Sequence, residues 1–303
     1  MKRAIKGYGA NGIALAIFIV LSGLDLFSDK IFSKVGSSKY YLISLINIVI
    51  FLIPIIYIGV KSKSTTKNIL KLKILKLKWI PVTFFAALSV CLFSIFLNSI
   101  VIKALNLTSG NFPSNPLSNI NWDEPFSVLL AIIIVPAIME ELFFRGAFLS
   151  SFSENNKLAA MFCGAFCFAF LHSTPYNFFG PLLAGIAYGL LTIIFNSIYP
   201  AIFAHIVNNT VSCAIWYYSD KISAGGLETA AIISGIIMLL VFIYLTLKLI
   251  EPFLNKIKGK PKLHLSQRRE KQKNTAKVYT VSFFILFSLW LAKIIAIIVQ
   301  VWG

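Results

Sequence analysis

The chain alternates long apolar stretches with short polar ones, and the apolar stretches are long enough to cross a lipid bilayer. A helix rises 1.5 Å per residue, so about 20 apolar residues span a hydrocarbon core of about 30 Å. The pattern predicts about nine transmembrane helices, at residues 10–28, 40–61, 80–104, 126–152, 158–174, 178–198, 200–219, 227–250 and 278–302. The predicted fold class is therefore an all-α polytopic membrane protein. Its last stretch is expected to be an appendage to an eight-helix body, and Lys293 within it is assigned no role.

Basic residues collect in three polar segments that share one side of the membrane if the chain crosses it nine times. These segments precede the first stretch, join the second to the third, and form a basic loop at 251–277. Lysine-rich loops are retained in the cytoplasm. We therefore expect a plasma-membrane protein with a cytoplasmic N-terminus and an external C-terminus. The connection 106–125 has no lysine or arginine and falls on the outer side.

Composition agrees with a membrane protein and excludes other classes. Hydrophobic residues make up 58% of the 303 residues, and the mean hydropathy is +0.82. The net charge of +17 is explained by loops beside anionic lipid, so no nucleic acid is expected as a partner. All cysteines lie in apolar stretches, which predicts packing rather than a disulfide framework or a zinc knuckle.

Two glutamates and an arginine lie inside the fourth apolar stretch. An ionised group in hydrocarbon costs roughly 2.5–3.5 kcal/mol even on lenient insertion scales, so it is seldom kept without a use. Adjacent residues on a helix point about 100° apart, so the side chains of Glu140 and Glu141 cannot both reach the same point. Glu141 and Arg145 are four residues apart, in the favourable order for an ion pair. The spacing predicts a supporting Glu141–Arg145 pair and leaves Glu140 free for chemistry.

Two more polar motifs follow at comparable depth in the predicted bilayer. Phe168-x-x-x-His172 ends the fifth stretch, and His205-x-x-x-Asn209 lies in the seventh. A spacing of four places both members of each motif on one helix face. Counted from the predicted helix ends, these residues and Glu140 can meet in the cytoplasmic half of the membrane. We therefore predict one site, with Phe168 forming a wall beside His172.

Two kinds of chemistry fit these residues. Glu140 can act as a general base with His172 beside the same water, while His205 and Asn209 hold the oxygen of a tetrahedral intermediate. Alternatively, Glu140, His172 and His205 ligate a divalent metal such as Zn²⁺, with Asn209 as a fourth or outer ligand. Either arrangement hydrolyses an amide. A membrane histidine taken alone is more often satisfied by a backbone carbonyl, and Asn208 is expected only to pack between helices.

The motifs Glu140-Glu141-x-x-x-Arg145, Phe168-x-x-x-His172 and His205-x-x-x-Asn209, complete and in this order, resemble those of a known family. It is the CPBP family (CAAX protease and bacteriocin-processing, or Abi), whose intramembrane proteases include the type II CAAX prenyl endopeptidases. The resemblance implies that Glu140 and His172 activate the attacking water. It further implies that His205 and Asn209 form the oxyanion hole, and that Glu141 and Arg145 support the site.

The resemblance divides the chain into three regions. Residues 1–125 hold the first three helices, residues 126–219 form the CPBP-like catalytic core of helices four to seven, and residues 220–303 hold the eighth helix, the basic cytoplasmic loop and the last helix. The expected activity is endoproteolysis of a peptide or membrane-protein substrate. In a bacterium, which the lysine-, isoleucine- and asparagine-rich composition suggests, this means peptide, pheromone or bacteriocin processing, or self-immunity.

Two other function classes compete with the protease. One is a non-catalytic membrane scaffold that binds a partner such as a sensor kinase or a cell-wall enzyme. The other is a proton-coupled transporter that uses Glu140, Arg145 and His172 as a relay, although no internal repeat is visible in the sequence. The intact motifs favour the enzyme.

Overall fold

The computed structural model describes residues 7–36, 39–61, 65–74, 76–105, 122–152, 156–218 and 278–302, together with the single positions 233, 236, 240 and 247. Within these ranges the chain is helical and contains no β-strand. The all-α class predicted from the sequence is confirmed. The predicted helix 227–250 (apart from those single positions), the basic loop 251–277 and most of the polar connection 106–125 lie outside the described residues.

Eight principal helices form the described bundle. They are α1 (Gly7–Leu26), α2 (Lys39–Lys61), α3 (Ile80–Ala104), α4 (Pro125–Phe148), α5 (Lys157–Leu171), α6 (Phe179–Phe195), α7 (Tyr199–Tyr218) and α8 (Val281–Trp302). Short helical turns occupy Ser28–Phe32, Thr66–Ile69, Leu77–Trp79 and Pro175–Asn177. Most helix ends fall within about three residues of the predicted stretches, as expected for boundaries read from hydropathy.

Six of the described helices are long and apolar enough to cross a membrane, namely α1, α2, α3, α4, α8 and the segment Pro175–Phe195 that contains α6. The predicted count of about nine is not confirmed. Helix α5 has only 15 residues, which gives a length of about 22 Å at 1.5 Å per residue. Helix α7 is long enough, but His205, Asn208 and Asn209 lower its hydropathy. Neither α5 nor α7 therefore meets both the length and the hydropathy of a membrane span. His172 directly follows α5, and His205 lies within α7.

Small residues allow α5 and α6 to pack at very short range. A Cβ atom added to Gly185 would lie 2.7 Å from Cα of Ala165, and one added to Gly189 would collide with Cγ of Met161. Within a bilayer, helices associate through such close van der Waals contact between small residues. The Gly185-x-x-x-Gly189 spacing thus fixes α6 against α5, the helix that ends beside His172.

Replacing Gly185 by alanine is expected to destabilise the protein by about 1–3 kcal/mol, because the new methyl group collides with backbone that cannot move aside. The control is Gly59→Ala in α2, where nothing lies within 4 Å of the added Cβ. There the substitution is expected to be neutral or slightly stabilising, since alanine favours a helix over glycine. Thermal unfolding in detergent measures both variants, and equal midpoints would contradict the close packing.

Three connections meet at one end of the bundle. The backbone N–H of Ile198, in the α6–α7 turn, donates to the carbonyl of Lys71 (3.2 Å), and the hydroxyl of Ser197 donates to the carbonyl of Lys73. Leu70 packs on Gly146 near the end of α4. An alternating membrane topology requires the α2–α3 connection, the end of α4 and the α6–α7 turn to share a side. Their contacts agree with that requirement, while the assignment of this side to the cytoplasm stays a prediction.

The last helix is part of the body rather than an appendage. Asn11 of α1 donates from Nδ2 to the carbonyl of Val278 (2.7 Å) and to the hydroxyl of Thr280 (3.0 Å), just before α8 begins. Farther along, Lys293 Nζ forms an ion pair with Asp25 of α1 at 2.8 Å. The sequence assigns Lys293 no role, and Asp25 is far from it along the chain. The packing of α8 against α1 brings the two together.

Candidate functional site

Helix α4 presents its two glutamates from a short α-helical segment between two π-helical ones. Val135–Glu141 is α-helical, while Leu129–Ile134 and Leu142–Phe148 are π-helical. π-Helical turns are wider than α-helical turns and occur frequently at functional sites. The two glutamates diverge as expected for neighbours. Glu141 is completely buried, whereas the side chain of Glu140 keeps 14% of its surface exposed.

Glu141 is neutralised by two partners inside the bundle. Its Oε1 lies 2.9 Å from Nη1 of Arg145, so the ion pair predicted from the spacing is present although Arg145 belongs to the second π-helical segment. The same Oε1 lies 2.9 Å from Nδ1 of His205. A buried charge is tolerated when it is paired in this way. Glu141 is therefore engaged by Arg145 and His205, and its role in supporting the site stays a prediction.

Arg145 is itself enclosed by aromatic rings. Its guanidinium carbon lies 4.8 Å from the ring centre of Phe168 and 5.7 Å from that of Tyr188. Its Nη2 also donates to the carbonyl of Ala184 at 3.4 Å. Cation–π contacts gain strength when the cation is desolvated, and the side chain of Arg145 is only 3% exposed. The cation is thus fixed to α4, α5 and α6 at once.

His205 lies between the two glutamates. Nδ1 faces Glu141, and Nε2 lies 3.8 Å from Oε2 of Glu140, which is longer than a hydrogen bond. A carboxylate only accepts hydrogen bonds, so Nδ1 of His205 donates to Glu141. The remaining ring nitrogen, Nε2, is then the atom on the side of Glu140. The imidazole of His205 thus lies between the carboxylates of Glu140 and Glu141, whose side chains leave α4 in different directions.

His172 lies in the turn that follows α5, one residue beyond the helix. Its Nδ1 is 3.0 Å from the carbonyl of Phe168. A carbonyl only accepts, so Nδ1 carries the hydrogen and Nε2 keeps its lone pair. The ring of Phe168 lies edge-on to both histidines, at 5.0 Å from His172 and 6.0 Å from His205. Phe168 is therefore a wall shared by the two imidazoles.

Asn209 contacts α4 at a point away from the glutamates. Its Nδ2 donates to the backbone carbonyl of Ile132 at 3.1 Å. Asn208 in turn donates from Nδ2 to Oδ1 of Asn209 at 3.4 Å. Asn208 was expected only to pack between helices, and here it also holds the amide of its neighbour. His205 and Asn209 thus both face α4, as their spacing predicts, but they reach different parts of it.

The candidate ligands of a metal are Glu140, His172 and His205. Within the described residues, no three histidine, cysteine, aspartate or glutamate side chains gather closely enough to hold one ion. The carboxylate of Glu141 and Nδ1 of His205 occupy each other, and Nδ1 of His172 is taken by a backbone carbonyl. That leaves Nε2 of both histidines, which is the usual ligand atom when Nδ1 donates to a carbonyl or a carboxylate, so ligation of Zn²⁺ by Glu140, His172 and His205 stays a prediction.

Tyr188 is a site residue that sequence reasoning missed. It is completely buried, its hydroxyl donates to the carbonyl of Ala204 at 3.3 Å, and its ring centre lies 5.7 Å from that of His205. It therefore bridges α6 to α7 immediately beside the catalytic candidate. Its position between Gly185 and Gly189 was a usable signal, because those glycines place that part of α6 against α5.

Residues 122–211 match the family model described as type II CAAX prenyl endopeptidase Rce1-like. The matched range contains Glu140, His172, His205 and Asn209, and it confirms the resemblance to the CPBP family. It covers less than a third of the chain and supports a CAAX-type intramembrane protease in a multi-pass membrane protein. No curated protein and no solved structure matches the chain significantly.

Proposed function

We propose that this chain is an intramembrane endopeptidase that hydrolyses peptide bonds by glutamate- and histidine-activated water. The observation that carries the proposal is the unequal state of the two adjacent glutamates. Glu141 is paired with Arg145 and His205, while Glu140 is partly exposed and, among the described residues, has only the long contact to His205. A carboxylate that is not taken up by an ion pair or a hydrogen bond keeps its oxygen lone pairs free to accept a proton. Glu140 is thus the group available to accept a proton.

The proposed reaction begins when Glu140 takes a proton from a water that is also held by Nε2 of His172. The water oxygen bonds to the carbonyl carbon of the substrate and forms a tetrahedral oxyanion. Protonated His205 donates from Nε2 and Asn209 donates from Nδ2 to that oxyanion. Glu141 stabilises the imidazolium of His205, as a carboxylate does in a catalytic triad. Breaking the C–N bond then requires a proton on the leaving amine, which Glu140 returns.

The substrate class follows from where this chemistry would take place. The candidate residues lie within apolar helices, so we propose a peptide or a membrane protein whose scissile segment enters the bundle. In a bacterial plasma membrane, peptide or bacteriocin processing and self-immunity are the corresponding roles. The N-terminus would be cytoplasmic, as the lysine-rich segments predict.

The test uses purified protein in detergent with a library of quenched fluorescent peptides. We expect cleavage by the wild type, and we expect the rate to be unchanged by excess EDTA or by 1,10-phenanthroline. The reason is that no three potential metal ligands cluster among the described residues. A thermolysin sample treated in parallel verifies that the chelators are effective. Loss of cleavage on chelation, restored by Zn²⁺, would contradict the glutamate mechanism. It would support the alternative in which Glu140, His172 and His205 ligate a metal.

A further inference from the structure

The turn that carries His172 follows a helix too short to cross a bilayer. Helix α5 has 15 residues, so it measures about 22 Å against a hydrocarbon core of about 30 Å. The chain then turns through residues 172–178 before α6 begins at Phe179. Irregular backbone at membrane depth is tolerated only where protein covers it or where it lines an aqueous cavity. The turn with His172 therefore needs cover from another helix.

The backbone of this turn is strained beside the histidine. Ser173, the residue directly after His172, has a φ of +52°, which residues other than glycine, asparagine and aspartate rarely adopt. The hydroxyl of Ser173 lies 3.4 Å from the carbonyl oxygens of both Phe170 and Leu171, so these contacts stay within the end of α5. A strained conformation persists only when the surrounding structure determines it. Contacts of the turn with other helices therefore matter for the position of His172.

Trp290 of α8 holds the two ends of the turn together. Phe170 and Phe178 flank the turn, and their rings stack with centres 6.1 Å apart. The ring of Trp290 packs on both of them, with its centre 5.1 Å from that of Phe170 and 4.8 Å from that of Phe178. Aromatic pairs at such distances stabilise each other beyond the burial of their surface. One side chain of α8 thus closes the turn that contains His172.

Helix α8 has the length that α5 lacks and is attached on both sides of Trp290. Its 22 residues measure about 33 Å, so α8 can pass the whole depth of the turn. Asn11 of α1 donates to the carbonyl of Val278 before α8 begins, and Lys293 pairs with Asp25 of α1 three residues beyond Trp290. Trp290 is therefore presented from a helix that is anchored to α1 at two places.

The indole of Trp290 contributes its ring rather than a hydrogen bond. Its Nε1 is buried and has no hydrogen-bond partner among the described residues. A buried indole N–H usually has an acceptor, so its lack of one indicates that packing on Phe170 and Phe178 decides the position of the ring. The substitution Trp290→Phe would largely preserve this packing.

We propose that Trp290 is a positioning residue for His172. By holding Phe170 and Phe178 together, Trp290 fixes the turn between them and with it the direction of Nε2 of His172. Nδ1 of His172 is engaged by α5, but the ring as a whole follows the backbone of the turn. The inference rests on the proposed function, and it extends the catalytic support to a helix outside the matched range 122–211.

The first test measures cleavage of the best-cleaved peptide of the quenched library, with rates expressed per folded protein. Trp290→Ala is expected to lower kcat roughly 10- to 100-fold with KM unchanged, as for a misplaced catalytic group. Trp290→Phe should keep kcat within about threefold of the wild type, because an aromatic ring remains. Wild-type kcat in Trp290→Ala, a loss confined to KM, or an equal loss of kcat in Trp290→Phe would overturn the proposal.

Trp79→Ala is the matched control. The ring of Trp79 lies 5.3 Å from that of Phe195, which ends α6, whereas Phe178 directly precedes the same helix. Trp79 and Trp290 are both partly exposed. We expect Trp79→Ala to lower the thermal midpoint in detergent and to keep the wild-type kcat per folded protein. An equal loss of kcat in Trp79→Ala would show a general effect of a loosened bundle and contradict the specific role of Trp290.

The second test observes His172 directly in the full chain labelled with ¹³C-histidine. The three histidines are His172, His205 and His264, and their imidazole Cε1 signals are assigned with His172→Gln and His205→Gln. We expect Trp290→Ala to shift the signal of His172 and to leave that of His205 in place. An unchanged signal of His172, or equal shifts of both, would refute the positioning role. This measurement needs no turnover and so does not depend on the proposed function.

The remaining variants keep the outcomes separate. The proposed function fails if Glu140→Gln still cleaves. A dead Glu140→Gln with a fully active Trp290→Ala would remove only the role of Trp290. If Trp290→Ala does not accumulate in membranes, Trp290→Leu takes its place with the same expected results, because leucine keeps an apolar side chain but has no ring to pack on Phe170 and Phe178.

Discussion

Replacing Glu140 by glutamine is expected to lower kcat for peptide cleavage by at least about 1,000-fold, because glutamine cannot accept the proton of the attacking water. The substitution keeps the size and the polarity of the side chain, so the bundle should assemble normally. Glu140 has no hydrogen bond or close ion pair that the change would break, since its nearest described partner atom is Nε2 of His205 at 3.8 Å. The measurement is the initial rate with the quenched peptide, together with the amount of folded protein.

Glu124→Gln is the matched control for this experiment. Glu124 immediately precedes α4, and its carboxylate accepts from the hydroxyl of Ser127 at 3.2 Å. The same substitution there changes the charge of the same helix by the same amount, and we expect cleavage to continue at the wild-type rate. Substantial cleavage by Glu140→Gln would contradict the assignment of the base. Full complementation of a deletion strain by Glu140→Gln would favour the scaffold over the enzyme.

Local helix geometry predicted the parts of the site that depend on one helix. The Glu141–Arg145 pair follows from a spacing of four, and so does the shared face of His205 and Asn209. These relations survive small errors in helix boundaries, because they involve differences in position within a single helix.

Contacts between helices could not be derived in the same way. The sequence does not show that His205 pairs through Nδ1 with Glu141, because that contact depends on the rotation of α7 against α4. Nor does it show that Asn209 reaches the carbonyl of Ile132. Two π-helical segments also alter the direction of side chains on α4. Only packing decides such rotations, and hydropathy contains no signal for them.

The aromatic surroundings of Arg145 illustrate the same limit. Phe144 and Arg145 are adjacent in sequence, but Phe168 and Tyr188 come from α5 and α6. Their rings enclose the guanidinium only because Gly185 and Gly189 bring α6 into close contact with α5. The glycines were visible in the sequence, whereas the cavity that they create for a buried cation was not. The Glu141–Arg145 ion pair and the rings of Phe168 and Tyr188 around it therefore depend on the same packing of α4, α5 and α6.

Arg145→Met is expected to destabilise the protein by about 3–5 kcal/mol, because it leaves the carboxylate of Glu141 buried without its cation. Methionine fills a similar volume and suits the surrounding rings, so the loss comes from the charge rather than from a cavity. Glu141 is completely buried, and its remaining described partner is Nδ1 of His205. Accumulation in membranes and the thermal midpoint in detergent measure the effect.

The double variant Glu141→Gln with Arg145→Met separates stability from catalysis. Removing both charges leaves no uncompensated ion, so the thermal midpoint should return most of the way to that of the wild type. Catalysis should not return, because a neutral glutamine no longer stabilises the imidazolium of His205. A double variant that is stable and inactive would thus assign Glu141 to the support of His205. Recovery of cleavage together with stability would show instead that the ion pair only holds the fold and that His205 needs no anionic partner.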